Sequence, residues 1–201
     1  VEPFTSHTGR IAVVPGDHID TDRIIPARYL SRISRFGYGE LLFSDMRGPD
    51  FALDQPEAVG ADILVVGTNF GCGSSREHAV WAIQQAGFRS VIARRDAESP
   101  GYSDIFRSNA ANCGLLLVEL DPTAHAKLVA LGSGAEATVD LEAMEVRANG
   151  ETYPFDIDPG TRDALLKGLD LIGTTLQFLP EIDRYEQQRM AFVPSSSRES
   201  R

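Results

Sequence analysis

The chain has 201 residues, 42% hydrophobic and 24% charged, an ordinary globular composition with enough apolar material for one sizeable core. Its formal net charge of -10 excludes long-range attraction to nucleic acid or anionic lipid, so any anionic ligand must be held by a local site. No apolar run approaches the roughly 18 residues of a membrane span, and the N-terminus lacks the basic-then-apolar order of a secretory signal, so a cytoplasmic protein is expected.

Ile11 to Val14 is a short β-branched run closed by Pro15 and Gly16, read as a strand. The polar stretch DHIDTDR then leads into IIPARYL, where Pro26 discourages a continuous helix from the residue before it, giving a loop and then a helix or turn. Ile33 to Asp50 has several glycines and no sustained period, which predicts a long surface loop with one helical turn at most. ADILVVG, from Ala61 to Gly67, is nearly continuous apolar sequence and suits a strand covered on both faces.

A helix follows, directing Ala79, Val80, Ala82, Ile83 and Ala86 to a core and stopping at Gly87. Val91 to Ala93 is the next strand, completing a βαβ unit. Tyr102 to Asn112 reads as a second helix and Leu115 to Leu120 as a further strand. From Ala137 to Phe155 the pattern changes to short strands, with Asn149-Gly150 as a hairpin signal. Thr161 to Lys167 reads as a helix ended by Gly168, and Pro180 to Met190 as another. The coarse expectation is one α/β domain over residues 1–193, mixing parallel and hairpin-connected strands with flanking helices, and a disordered tail over 194–201.

The chemistry-bearing stretch is TNFGCGSSREHAVWAI, Thr68 to Ile83. Backbone amides can converge at Gly71-Cys72-Gly73, between a strand and a helix N-terminus. It is neither Walker A, which needs a Gly-Lys pair, nor the dinucleotide fingerprint, whose third glycine is replaced by Arg76. Ser74-Ser75-Arg76-Glu77 matches the capping box S-x-x-E, and on spacing alone that is the favoured reading of Ser74. Against it stand a second hydroxyl at Ser75, space cleared by two glycines, and Arg76 placed against the helix dipole, which suggests an anionic partner.

His78 is expected beside the core. Cys72 as a nucleophile would need a lowered pKa from the helix terminus and Arg76. The loop Asp17-His18-Ile19-Asp20-Thr21-Asp22 fails the Ca²⁺ loop pattern, so turn carboxylates or N-caps are expected and no metal site is assigned. Cys72 and Cys113 are the only cysteines, with no C-x-x-C motif.

GCGSSREHAVWAI closely resembles the G-S-S-R-E-H signature of the aconitase-type dehydratases, and among them the family of separate isopropylmalate dehydratase small subunits. HTGRIAVVP, DTDRIIPARYL, GFRSVIA, DIFRSNAANCGLL and GLDLIGTTLQ match in the family's order, covering most of residues 4 to 192. The resemblance implies a swivelling β/β/α domain like the fourth domain of aconitase, encoded as its own chain. It implies a hydro-lyase of leucine biosynthesis that interconverts 2-isopropylmalate and 3-isopropylmalate and is active only with a large subunit. A [4Fe-4S] cluster is expected on that subunit and no cofactor on this chain, because two distant cysteines cannot supply the cluster's thiolates.

By the same resemblance Ser74 is the catalytic base, acting as an alkoxide on a carbon next to a carboxylate, while Ser75 and Arg76 bind substrate carboxylate and hydroxyl. Asp22 organises the arginine and serine. The YLSRISRFG loop sets substrate choice, with Arg32 or Ser34 near a carboxylate position and Leu30 or Ile33 beside an isopropyl group; Leu30, Ser31, Ile33 and Ser34 form the specificity set. A catalytic Ser74 must point outward at a small dicarboxylate, leaving Glu77 to satisfy the first turn differently. The other open readings are a related small subunit acting on citramalate, dimethylmalate or homoaconitate, and an anion-binding module without chemistry. DAESPGYS, Asp96 to Ser103, carries no role legible in the residues.

Overall fold

The computed structural model describes residues 1–31, 34–74 and 76–188. The chain divides into two compact units, Val1–Asp170 and Leu171–Arg201. The first holds a seven-stranded sheet, β1 (Ser6–Val14), β2 (Ile63–Val66), β3 (Ser90–Arg94), β4 (Leu116–Leu120), β5 (Glu136–Asp140), β6 (Glu145–Ala148) and β7 (Glu151–Pro154), in the order β4-β3-β2-β1-β5-β6-β7. β1 to β4 run parallel, while β5 to β7 are an antiparallel meander.

One long strand joins the two halves. The C-terminal half of β1 pairs Ile11↔Ile63 through Val14↔Val66 with β2, and its N-terminal half pairs Ser6↔Asp140 through Arg10↔Glu136 with β5. Only the apolar half of β1 was expected as a strand; SHTGR is polar because it serves the exposed antiparallel side, with an exposed or half-buried pattern.

The sheet is buried on both faces where it is parallel. Alternation in β2 sends Leu64 and Val66 to one core and Ile63 and Val65 to the other, so ILVV has no exposed position. The first core is covered by α2 (Glu77–Gln85) and α3 (Asp104–Cys113), the second by α4 (Pro122–Leu131) and α5 (Pro159–Lys167). α4 went unread in the sequence, although Asp121 caps its Thr123 and Ala124 amides and Pro122 sits in its first turn. Asn149 and Gly150 both have positive φ, +49° and +78°, the geometry of the predicted hairpin turn.

The connection from β1 to β2 departs from expectation. It contains the short helix α1 (Thr21–Ile24) and 3-10 turns at Ala27–Tyr29, Gly39–Leu41, Ala52–Asp54 and Pro56–Ala58. It is not a surface loop: Tyr38, Leu42 and Phe43 are completely buried, and the Phe43 amide donates to the Ile24 carbonyl. Its apolar residues fit no helical or strand period because they are presented by turns, which explains why periodicity missed them.

The second unit contains α6 (Leu171–Leu176) and α7 (Leu179–Gln188); no residue of α7 is buried. The expected tail at 194–201 lies outside the described residues. Among those residues no helix is long and apolar enough to cross a membrane.

Candidate active site

Three loops leave the C-terminal ends of the neighbouring parallel strands β1, β2 and β3, the place where open α/β sheets hold ligands. The loop after β2 carries Thr68 to Arg76. It starts in tight quarters: a Cβ on Gly67 would lie 2.2 Å from an Asp17 carboxylate oxygen and 2.3 Å from the Gly16 carbonyl. Gly71 and Gly73 turn the backbone in the left-handed region, φ +73° and +83°, and a Cβ on Gly71 would meet the Phe106 ring at 2.3 Å.

The loop after β1 grips this turn by its backbone. Gly71 N–H donates to the Ile19 carbonyl at 2.8 Å, Thr21 N–H to the Cys72 carbonyl at 3.1 Å, and the Thr21 hydroxyl to the Ser74 carbonyl at 3.3 Å. Asp17 accepts from Thr68 N–H at 3.0 Å and from Arg94 at 2.8 Å. Burial pushes the Asp17 carboxyl upward, but those two donors outweigh it and hold the group below its ordinary value.

Ser74 is exposed and does not cap the helix. α2 begins at Glu77, its N-cap is Arg76 with extended φ −127° and ψ +136°, and among the described residues no side chain caps it. The capping box is therefore overturned. It requires Glu77 as the third helical residue, whereas here it is the first, because the backbone at Arg76 is still extended. The Glu77 carboxylate instead accepts from the Cys113 thiol at 3.4 Å. With no cap among the described residues, the Glu77 and His78 amides are left available to an anion, while Ala79 N–H donates to the Arg76 carbonyl at 3.0 Å.

Arg76 donates to Asp22 at 3.0 Å, with the arginine side chain 28% exposed and the aspartate 58%. At that exposure the pair contributes ~0–1 kcal/mol to stability, so its consequence is orientation of the guanidinium rather than strength. Asp22 stands on α1, whose N-cap Asp20 accepts from Arg23 N–H at 2.8 Å. The carboxylates of DHIDTD are thus divided among a loop tie, a cap and an arginine partner. Among the described residues no group of three or more His, Cys, Asp or Glu is arranged to hold a metal.

The Cys72 thiol is pushed up by burial and by Asp20, the opposite of what a nucleophile requires. His78 lies between Tyr38, at 5.4 Å between ring centroids, and Trp81, at 4.7 Å, and burial pushes its pKa down. It is a neutral ring beside the core.

The expected specificity loop is fastened to α2. Leu30 is half-buried at the end of the Ala27–Tyr29 turn and Ser31 is exposed. Ser34 accepts from Phe36 N–H at 3.1 Å. Gln85 then fastens the loop by donating to the Arg35 carbonyl at 2.8 Å and accepting from Tyr38 N–H at 2.9 Å. Gln85 is the last residue of α2, while the Tyr38 ring packs on His78 in its first turn. Arg32, Ile33 and Ser75 fall outside the described residues.

What sequence reasoning missed is the third loop. Asp96 to Ser103 runs beside the serine loop: Asn69 N–H donates to the Pro100 carbonyl at 2.9 Å, Phe70 N–H to Gly101 at 2.8 Å, and the Ser103 hydroxyl to the Gly71 carbonyl at 2.8 Å. Glu119 on β4 anchors this loop by accepting from Gly101 N–H and from Arg107. The signal was Pro100-Gly101 followed by the S-D opening of α3, which marks a turn and a cap but not what the turn rests against. A separate cavity of about 270 Å³ lies over the other face of β1 and β2, against α4, and includes neither Ser74, Arg76 nor Asp22.

The mixed sheet, with a serine that follows the Gly71-Cys72-Gly73 turn beyond its parallel strands, is that of an aconitase-type α/β domain. The aconitase C-terminal domain family model matches residues 1–123, and a LeuD_N model matches residues 126–159. The 3-isopropylmalate dehydratase small subunit of Acidothermus cellulolyticus is 48% identical over 200 residues, covering 98% of each chain. That of Streptomyces coelicolor is 47% identical with the same coverage. The crystal structure of 3-isopropylmalate dehydratase (leuD) from Methanocaldococcus jannaschii has a TM-score of 0.65 and 27% identity, covering 90% of this chain and 99% of that one. The chain belongs to the family of 3-isopropylmalate dehydratase small subunits.

Proposed function

We propose that this chain supplies the serine base of a two-subunit hydro-lyase that interconverts 2-isopropylmalate and 3-isopropylmalate. The observation that carries the reading is the geometry at α2: an exposed, uncapping Ser74, a helix start uncapped among the described residues, and Arg76 held by Asp22. Backbone amides and a cation beside one hydroxyl lower the cost of an alkoxide and of a bound carboxylate alike.

Ser74 Oγ takes a proton from the carbon next to a substrate carboxylate. The C–H electron pair becomes the C=C bond, and the hydroxyl on the neighbouring carbon leaves with its bonding pair and departs as water on taking a proton from a general acid of the two-subunit site. Rehydration in the opposite sense returns the proton from Ser74 and gives the isomer. Arg76, with Ser75 and Arg32, holds carboxylate and hydroxyl oxygens; Asp22 aims Arg76. Leu30, Ser31, Ile33 and Ser34 border the substituent.

The residues of this chain do not fit an iron–sulfur cluster, because its two cysteines, Cys72 and Cys113, are too few to supply the cluster's thiolates. The [4Fe-4S] cluster, with the Lewis-acid chemistry it supplies when bound, is assigned to the large subunit, in the cytoplasm. The test is ultraviolet-monitored turnover of 2-isopropylmalate by this chain alone and with an anaerobically reconstituted large subunit. Turnover only in the mixture supports the reading. A formed complex inert toward isopropylmalates but active on another substituted malate reassigns the substrate, and one inert toward all of them overturns the catalytic role.

A further inference from the structure

The segment between Gly71 and Ser74 is intrinsically loose, since two of its residues are glycines in the left-handed region. Its carbonyls at Cys72 and Ser74 are held by Thr21, from the β1 side. The Gly71 carbonyl is held from the opposite side by the Ser103 hydroxyl at 2.8 Å. Among the described residues no other donor reaches that carbonyl. Ser103 N–H also donates to the Phe70 carbonyl at 3.4 Å, so both peptides at the start of the turn are fixed by one residue.

Ser103 has a second task in the same place. It is the N-cap of α3, at φ −69° and ψ +151°, and its oxygen accepts from Phe106 N–H at 3.4 Å. Phe106 is the side chain that fills the space in front of Gly71. The start of α3 and the start of the serine turn are therefore locked by one hydroxyl used in both directions, as donor and as acceptor.

We propose that Ser103 is a positioning residue for the reaction, holding the Gly71 peptide so that Ser74 Oγ stands at a fixed place before the substrate carbon. This inference rests on the reading of Ser74 as the base. The donor task and the cap task separate by substitution. Glycine caps nearly as well as serine but has no hydroxyl to donate, and aspartate caps well but as a carboxylate can only accept. Threonine keeps both functions.

The experiment compares steady-state kinetics and thermal unfolding of the complete two-subunit enzyme carrying Ser103→Gly, Ser103→Asp or Ser103→Thr, with Ser74→Ala alongside. The expected result is a fall in kcat of about tenfold or more for Ser103→Gly and Ser103→Asp, because small misplacements of a reacting group cost ~100-fold. KM should stay within about twofold and Ser103→Thr should restore kcat, since binding groups and cap are retained. An unchanged kcat in Ser103→Gly, or a raised KM with kcat intact, overturns the proposal. If one variant unfolds early, the other decides. Turnover surviving in Ser74→Ala would instead overturn the base assignment, which keeps the two failures distinct.

Discussion

The parallel and antiparallel halves of the sheet use their polar residues differently. In the β5 to β7 meander most polar ties are local, since Asp140 accepts from Ala143 N–H, Arg147 lies between Asp140 and Glu145, and a two-residue turn closes the hairpin, while Thr138 and Glu151 reach out to Thr8 and Lys127. Beyond the parallel strands the ties reach across the chain, Thr21 to Ser74, Asp22 to Arg76, Ser103 to Gly71 and Asp17 to Arg94. The difference teaches where function sits. Local contacts build a rigid edge, whereas long-range contacts converge on a loop whose own residues would not hold one shape.

The comparison is broken most severely at the serine. Ser74→Ala should lower turnover of the two-subunit enzyme by roughly 100- to 10,000-fold, the contribution of a general base, while unfolding shifts by less than about 0.5 kcal/mol. The small stability change follows because the side chain is exposed and caps nothing. Retained turnover with a large loss of stability would make Ser74 a structural residue.

Gly71→Ala should come next. The added methyl meets the Phe106 ring and the backbone is left-handed, so a destabilisation of roughly 2 to 5 kcal/mol is expected, with activity lost as well. Urea unfolding and kinetics on the same preparation check both parts. Arg76→Lys keeps the charge but loses the fork toward a carboxylate, and an increase in KM of about tenfold is expected. Unchanged kinetics would remove Arg76 from substrate binding.

These sites differ in how far the residues alone disclosed them. Buried strands such as ILVV and the Asn149-Gly150 hairpin follow from period and turn chemistry, because both are properties of a few consecutive residues. Ser74, Arg76 and Asp22 were picked out by resemblance and by an arginine set against a helix dipole. The true start of α2 was not legible, because S-S-R-E satisfies the capping pattern, while the extended backbone at Arg76, whose side chain pairs with Asp22 more than fifty positions away, is no property of consecutive residues. The same limit hid the Asp96 to Ser103 brace and buried Tyr38, Leu42 and Phe43 within what reads as a loop.

Gly150→Ala sharpens the contrast with Gly71. Its φ is also positive, +78°, but nothing lies within 4 Å of an added Cβ. Only the backbone penalty remains, about 1 to 2 kcal/mol, and kcat and KM should be unchanged. If Gly150→Ala reduced activity as Gly71→Ala does, the hairpin edge would belong to the working part of the molecule.

The smallest effect concerns His125 on α4, beneath the end of β2. Its Nε2 donates to the Val66 carbonyl at 2.7 Å, which fixes the neutral tautomer with the proton on that nitrogen. Burial, the largest influence, pushes its pKa below the ordinary 6.5 despite that carbonyl. The unfolded chain therefore takes up a proton that the folded chain resists. The stability this neutral ring provides is fully present above pH 6.5 and declines as pH falls through the lower folded value. His125→Gln keeps a donor for Val66 but does not titrate, so stability should vary less steeply with pH between about 7 and 5 than in the natural chain. His78, also pushed down by burial, remains in the variant, so the slope should flatten without vanishing. A slope equal to the natural chain's would mean that His125 takes its proton in the folded protein as easily as in the unfolded one, and that the end of β2 is wetter than its packing indicates.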